Sequence, residues 1–244
     1  PNSELYRGNP DVVLLALDHR GLPLQDSADA ALAYVKDLCR AITETCDALI
    51  IVQTLAPVPE PLFGNFDSLY DASTKARIEA FNAGLVRLVA GGPQVLLDAA
   101  TIAATVGLDT WHDPVQWYLA KLPFAQTCLP LYADYVGRLL GAARGKSRRC
   151  LILDLDNTLW DGVIGDDGLD GIVLGQGDPA GEAFLAVQRM ALALRDRGVI
   201  LAVCSKNNDE VARQPFRDHP EMLLKEEQIT VFQANWEDKA SNIE

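Results

Sequence analysis

Apolar residues fall along this chain in two rhythms. Val12–Leu17, Ala48–Val52 and Val95–Leu97 are short, nearly unbroken apolar runs. Runs of that length read as strands covered on both faces. Between them the apolar positions recur every three to four residues, as on one face of a helix. Asp26 or Ser27 can cap a helix running to about Cys46. A second helix, from about Ser73 to Val89, puts Ile78, Phe81, Leu85 and Leu88 on one stripe. A Pro-rich loop (Pro57, Pro59, Pro61) closing on Gly64-Asn65 precedes it. Further helices are expected over Thr101–Val106 and Leu129–Leu140. The order βαβαβα predicts a mostly parallel sheet with helices on both sides.

The same alternation resumes after Arg144–Arg149, a basic break in composition. Cys150–Leu155, Val199–Cys204 and Ile229–Ala234 read as strands. Pro179 can open a helix that reaches Arg197 and closes on Gly198. Asn208–Phe216 reads as a short helix, and Glu237 begins another. Trp160–Leu174 is rich in Gly and Asp, and its alternating Val163, Ile172 and Leu174 read as a small hairpin. The fold class is therefore α/β, with two Rossmann-like parallel-sheet domains. They are expected at 1–143 and 150–244, joined by a basic linker at 144–149.

Composition narrows the function. Among 244 residues, 21 basic residues face 34 acidic ones, a formal charge of −13. Nucleic acid is an improbable partner, because neutralising phosphates takes clustered Lys and Arg. No apolar run approaches the roughly 18 residues that span a bilayer. Cys39, Cys46, Cys128, Cys150 and Cys204 are scattered without a CxxC, which suits a reducing cytoplasm better than a disulfide framework or a zinc site. The opening Pro1-Asn2-Ser3 and the ending Ile243-Glu244, inside a helical stretch, are expected of a fragment.

The candidate chemistry sits where the fourth run ends. Leu151-Ile152-Leu153 empties into Asp154-Leu155-Asp156-Asn157-Thr158. In parallel α/β sheets, ligands bind beyond the C-terminal strand ends. A carboxylate there, Asp154, can attack phosphorus. A second one two residues on, Asp156, can protonate the leaving oxygen and then activate water. Two adjacent carboxylates also suit Mg²⁺, which makes Asp154 and Asp156 candidate metal ligands. Thr158 can hold the geometry by hydrogen bonding. An Asp-rich turn after a strand is the plainer reading of this segment. Two later strand ends weigh against it: Ser205 can bind a phosphate oxygen, and Lys239 can neutralise the phosphoryl group and Asp154.

These residues resemble the motifs of the haloacid dehalogenase superfamily. Asp154, Asp156 and Thr158 match its first motif, Ser205 its second and Lys239 its third. Trp160–Leu174 resembles the small flap after the first motif. The family's fourth motif, an acidic pair after a further strand, falls past the last residue, so the Mg²⁺ site is expected to be incomplete here. The resemblance narrows to the FkbH-like branch over Asp154–Asp167, Gly181-Glu182-Ala183-Phe184, Cys204–Asn208, His219-Pro220-Glu221-Met222 and Asn235–Asn242. Upstream, Trp117–Lys121 and Pro123-Phe124 resemble it too. Asp161 departs from the branch, where a Gly is expected.

The resemblance implies a glyceryl transferase and phosphatase. Such proteins dephosphorylate 1,3-bisphosphoglycerate and pass the glyceryl group to an acyl carrier protein in polyketide biosynthesis. Cys204, beside Ser205, is the candidate for a transient thioester, with a small core residue as the competing reading. Cys150 fits the branch but starts its strand. A plain phosphohydrolase of a small metabolite and a noncatalytic docking module are the alternatives. The first domain resembles the SGNH-hydrolase-like domain that precedes the phosphatase in this branch, without a visible Gly-Asp-Ser. Asp109-Thr110-Trp111-His112 has the Asp-x-x-His spacing of such hydrolases, although His112, like His19, reads more simply as a loop residue. Arg144, Lys146, Arg148 and Arg149 form a local positive patch that could receive an acidic carrier protein.

Overall fold

The structure, a computed structural model, describes residues 8–59 and 62–243. Pro1–Ser3, Pro61 and Glu244 lie outside the described residues. The chain divides into two compact units, between Gly145 and Lys146.

The first unit is built on three parallel strands, β1 (Val12–Leu15), β2 (Leu49–Gln53) and β3 (Val95–Leu97), in the order β1-β2-β3. Side chains of a strand alternate between faces, and β2 shows the result. Ile50 and Val52 join a core with α1 (Ala28–Thr43) and α2 (Thr74–Ala90), while Ile51 packs on the other face beside Ile102 and Tyr132. Ser27 caps α1 by accepting from the Ala30 amide at 3.0 Å, and Ser73 caps α2 through the Ala76 amide at 3.0 Å. The other face is covered by α3 (Ala99–Val106) and α6 (Leu129–Ala143). Two short helices between them, α4 (Leu108–Trp111) and α5 (Pro114–Ala120), were not expected from apolar periodicity. The signal for α5 was the cap pair Asp113-Pro114, with Asp113 accepting from the Gln116 amide at 3.0 Å.

The second unit repeats the plan with β4 (Cys150–Leu153), β5 (Ile200–Ser205) and β6 (Val231–Ala234), parallel in the order β4-β5-β6. Around them lie α7 (Ile164–Gly171), α8 (Pro179–Asp196), α9 (Asp209–Asp218) and α10 (Lys239–Ile243). Trp160 and Leu155 are fully buried in its core with Phe216. The segment after the first strand is not the expected hairpin. It holds the kinked helix α7, and its sheet-like features are two isolated bridges, Trp160 with Asp156 and Asp161 with Val173, the latter in antiparallel sense. The physical reason is Asp167, which accepts from the Val163 amide at 2.7 Å and so satisfies a free donor at the helix start. Register places Leu153 beside Val203 and Ser205 beside Ala234, so the strands end along one edge.

Candidate active site

That edge gathers the candidate residues of the second unit. Asp154 follows β4 directly, where the chain turns sharply. The Thr158 and Leu159 amides donate to the Leu155 carbonyl at 3.0 and 2.8 Å, and Asn157 takes a left-handed φ of 55°. Asn tolerates that conformation better than most residues. The turn presents the Asp154 carboxylate toward the ends of β5 and β6.

There Lys239 donates from Nζ to Asp154 Oδ2 at 2.5 Å, and the Leu155 amide donates to Oδ1 at 2.9 Å. Burial alone would push the Asp154 carboxyl up. Hydrogen bonds from Lys239, the Leu155 amide and Ser205, with the Lys239 charge, outweigh it and hold the group below its ordinary value. Asp154 is thus kept ionised, and its side chain is still 41% exposed. Lys239 stands at the start of α10, and Ser205 ends β5 with 2% exposure.

Asp156 is held by three donors. Its Oδ1 accepts from Trp160 Nε1 and from the Ile164 amide, each at 3.1 Å, and its Oδ2 accepts from Asn207 Nδ2 at 2.8 Å. Asn207 also reaches Ser205 Oγ at 3.3 Å. Neither Trp160 nor Asn207 stands out in the sequence as a partner of Asp156. A signal for Asn207 was its i+2 relation to Ser205, which suits the same side of an extended segment.

The remaining candidates separate. The amide of Thr158 closes the turn, while its hydroxyl bonds none of Asp154, Asp156, Ser205 or Lys239. Cys204 is 5% exposed, and its thiol faces the Lys239 carbonyl oxygen at 3.9 Å. Cys150 is exposed at the opposite end of β4. Asp161 is exposed and accepts from the Gly162 amide at 3.0 Å. In the first unit, the Asp109-x-x-His112 spacing forms no hydrogen-bonded dyad, because His112 Nε2 donates to the Pro57 carbonyl at 2.8 Å and Asp109 is exposed.

A metal would find a small donor set here. Among the described residues, no group of three or more His, Cys, Asp or Glu side chains is arranged to hold one. Mg²⁺ asks for less, commonly one or two carboxylates with water and substrate oxygens completing the shell. Asp154 and Asp156 meet that demand.

No family model matches the chain, and no curated relative was found. A solved structure does match: the N-terminal part of the protein BF1531 from Bacteroides fragilis, containing a phosphatase domain and complexed with Mg. It superposes with a TM-score of 0.90 at 33% identity over 100% of this chain. This chain shares the parallel α/β fold of that phosphatase-domain-containing structure. The chain spans 66% of that solved chain's length. Asp154, Ser205 and Lys239 all stand at the C-terminal ends of β4, β5 and β6, where parallel sheets take ligands.

Proposed function

We propose that the second unit is a magnesium-dependent phosphatase that works through an aspartyl phosphate at Asp154. The observation supporting this is the ionised Asp154 carboxylate, held at the strand edge by Lys239 and faced by Ser205. An Asp154 oxygen bonds to phosphorus while the bond from phosphorus to the leaving oxygen breaks, and Asp156 gives that oxygen a proton. Asp156 then takes a proton from water as the water oxygen attacks phosphorus. The second displacement frees Asp154 and releases inorganic phosphate. Ser205 donates to a phosphoryl oxygen, and Lys239 balances the charge of the equatorial oxygens. Asp154 and Asp156 would hold Mg²⁺, which supplies further charge neutralisation at the phosphoryl group.

For the substrate we propose an acyl phosphate, 1,3-bisphosphoglycerate, with the glyceryl group passed to an acyl carrier protein. The support is the FkbH-like pattern of Asp154–Asp167 and Cys204–Asn208. A thiolate sulfur would bond the acyl carbon as the C1 phosphate leaves with the electrons of the broken carbon–oxygen bond, and the C3 phosphate ester would be hydrolysed through Asp154 as above, leaving a glyceryl thioester. Cys204 is the candidate sulfur, and its burial against the Lys239 carbonyl requires the segment around α10 to open first. Hydrolysis of a simpler phosphorylated metabolite needs no such opening.

Phosphate release from a phosphate ester, with Mg²⁺ and the full chain, tests the phosphatase reading. Asp154→Asn is nearly isosteric and cannot attack, so release should stop while the fold persists. Near wild-type turnover in that variant would move the nucleophile elsewhere.

A further inference from the structure

The first unit contains a cleft of about 480 Å³, far in sequence from the phosphatase residues. His19, Arg20, Lys75, His112, Trp117 and Tyr118 line it. A narrower cavity sharing His19 and His112 continues from it past Asp18 and Thr54. Asp18 and Thr54 lie just beyond β1 and β2, so the two cavities open at the C-terminal strand edge, where parallel sheets take ligands.

The side chains at this edge are unusual for a chain with a net charge of −13. The carboxylates around it are engaged. Asp67 accepts from the Leu62 and Phe63 amides, at 2.8 and 3.1 Å, and Asp113 caps α5. Asp18 accepts from Arg20 Nη1 at 3.1 Å. Lys75 has a neutral partner, the Ser68 hydroxyl at 2.7 Å. The Arg20 guanidinium lies 3.9 Å from the Trp117 ring centre, which fixes its plane and leaves donors at its edge. His112 is fixed as the Nε2–H tautomer by Pro57, which leaves Nδ1 available. Burial, then the charge of Arg20, lowers the His19 pKa; Asp18 opposes the shift and His112 adds to it.

We propose that this cleft binds a small organic phosphate. Arg20 uses only Nη1 in its pair with Asp18, and Lys75 has a hydroxyl as its neutral partner, so donors from both can turn to the several oxygens of a phosphate. The volume falls in the range of small-molecule sites, roughly 300–1,000 Å³, and is larger than a bare phosphate fills. Trp117, Tyr118 and Pro114 offer apolar walls for the organic part. The site is independent of the phosphatase reading, since none of its residues belongs to the second unit.

The chain has three histidines, His19 and His112 in the cleft and His219 in the second unit, so imidazole proton NMR reports on each place separately. The measurement uses the full-length Asp154→Asn protein without Mg²⁺, titrated with glycerol 3-phosphate and, in parallel, with acetate. The His19 and His112 signals should move saturably with glycerol 3-phosphate while the His219 signal stays. Arg20→Gln combined with Lys75→Gln should weaken that response at least tenfold, with the remaining spectrum confirming the fold. Equal movement of all three signals without saturation overturns the proposal. So does an unchanged affinity in the double variant, or acetate binding as tightly as the phosphate.

Discussion

Asn207 donates from its side-chain amide to Asp156 Oδ2 at 2.8 Å and is itself 3% exposed. With Trp160 Nε1 and the Ile164 amide on the other oxygen, it fixes the plane of the Asp156 carboxylate. The second carboxylate of the site is therefore set by the end of β5 and by the flap, and not by its own turn alone.

Asn207→Ala should lower turnover without abolishing it. A hydrogen bond to a charged group is worth about 1.5–3 kcal/mol. If that difference is felt in the transition state, kcat falls about tenfold to a hundredfold. Steady-state phosphate release, with KM measured separately, checks this. A fall in KM affinity with kcat intact would place Asn207 in substrate binding instead.

The acid response of the fold follows from Asp154. Its carboxyl is held below the ordinary 3.8 once the Lys239, Leu155 and Ser205 bonds outweigh burial. A depressed carboxyl contributes stability above its unfolded value and loses it as pH falls through the lower folded value. In metal-free buffer, wild type should therefore lose melting temperature more steeply below about pH 4 than Asp154→Asn, with parallel curves above about pH 5. The carboxylate is partly exposed, so the difference should be modest and shrink with added salt. Thermal melts across that window measure it.

Gly181, in the first turn of α8, approaches the backbone of Gly175 closely. A Cβ built there would stand 2.6 Å from the Gly175 carbonyl oxygen and 2.9 Å from its amide nitrogen. Neither atom belongs to a flexible side chain, so Gly181→Ala must shift backbone. The expected cost is about 1–3 kcal/mol, read as a lower urea midpoint. An unchanged midpoint would show that α8 can slide away from Gly175.

The strand-end residues were legible because strands announce their own ends. The apolar runs of β4 and β5 stop at Leu153 and Cys204, and the polar residues that follow, Asp154 and Ser205, fall at the C-terminal edge of a parallel sheet. The two compact sheets followed from the same runs. Trp160 and Asn207 were not legible as partners of Asp156, since their approach depends on the φ of Asn157 and on the path of the flap. The flap was legible only in part: Ile172 and Leu174 are buried either side of Val173, which pairs with Asp161, but the helix held by Asp167 replaces the rest of the hairpin. Helices α4 and α5 are too short for a periodic stripe, and only Asp113-Pro114 marked one of them.

Cys204 separates the two proposed chemistries. Its neighbour Ser205 is directed at Asp154, and a strand turns successive side chains to opposite faces. The thiol accordingly faces the Lys239 carbonyl at 3.9 Å and is 5% exposed. If it is a core residue, Cys204→Ala costs about 1 kcal/mol of stability and leaves both hydrolysis and transfer intact. If it holds the glyceryl group, the same substitution removes a thioester adduct while hydrolysis of a simple phosphate ester at Asp154 continues. Intact-protein mass spectrometry after exposure to 1,3-bisphosphoglycerate, before any carrier protein is added, reads the adduct directly. An adduct in wild type and none in Cys204→Ala supports transfer through this thiol. An adduct surviving in the variant would move the thioester to another cysteine, with exposed Cys150 the next to substitute. No adduct in either protein, with phosphate released by both, would leave simple phosphate hydrolysis as the chemistry of Asp154.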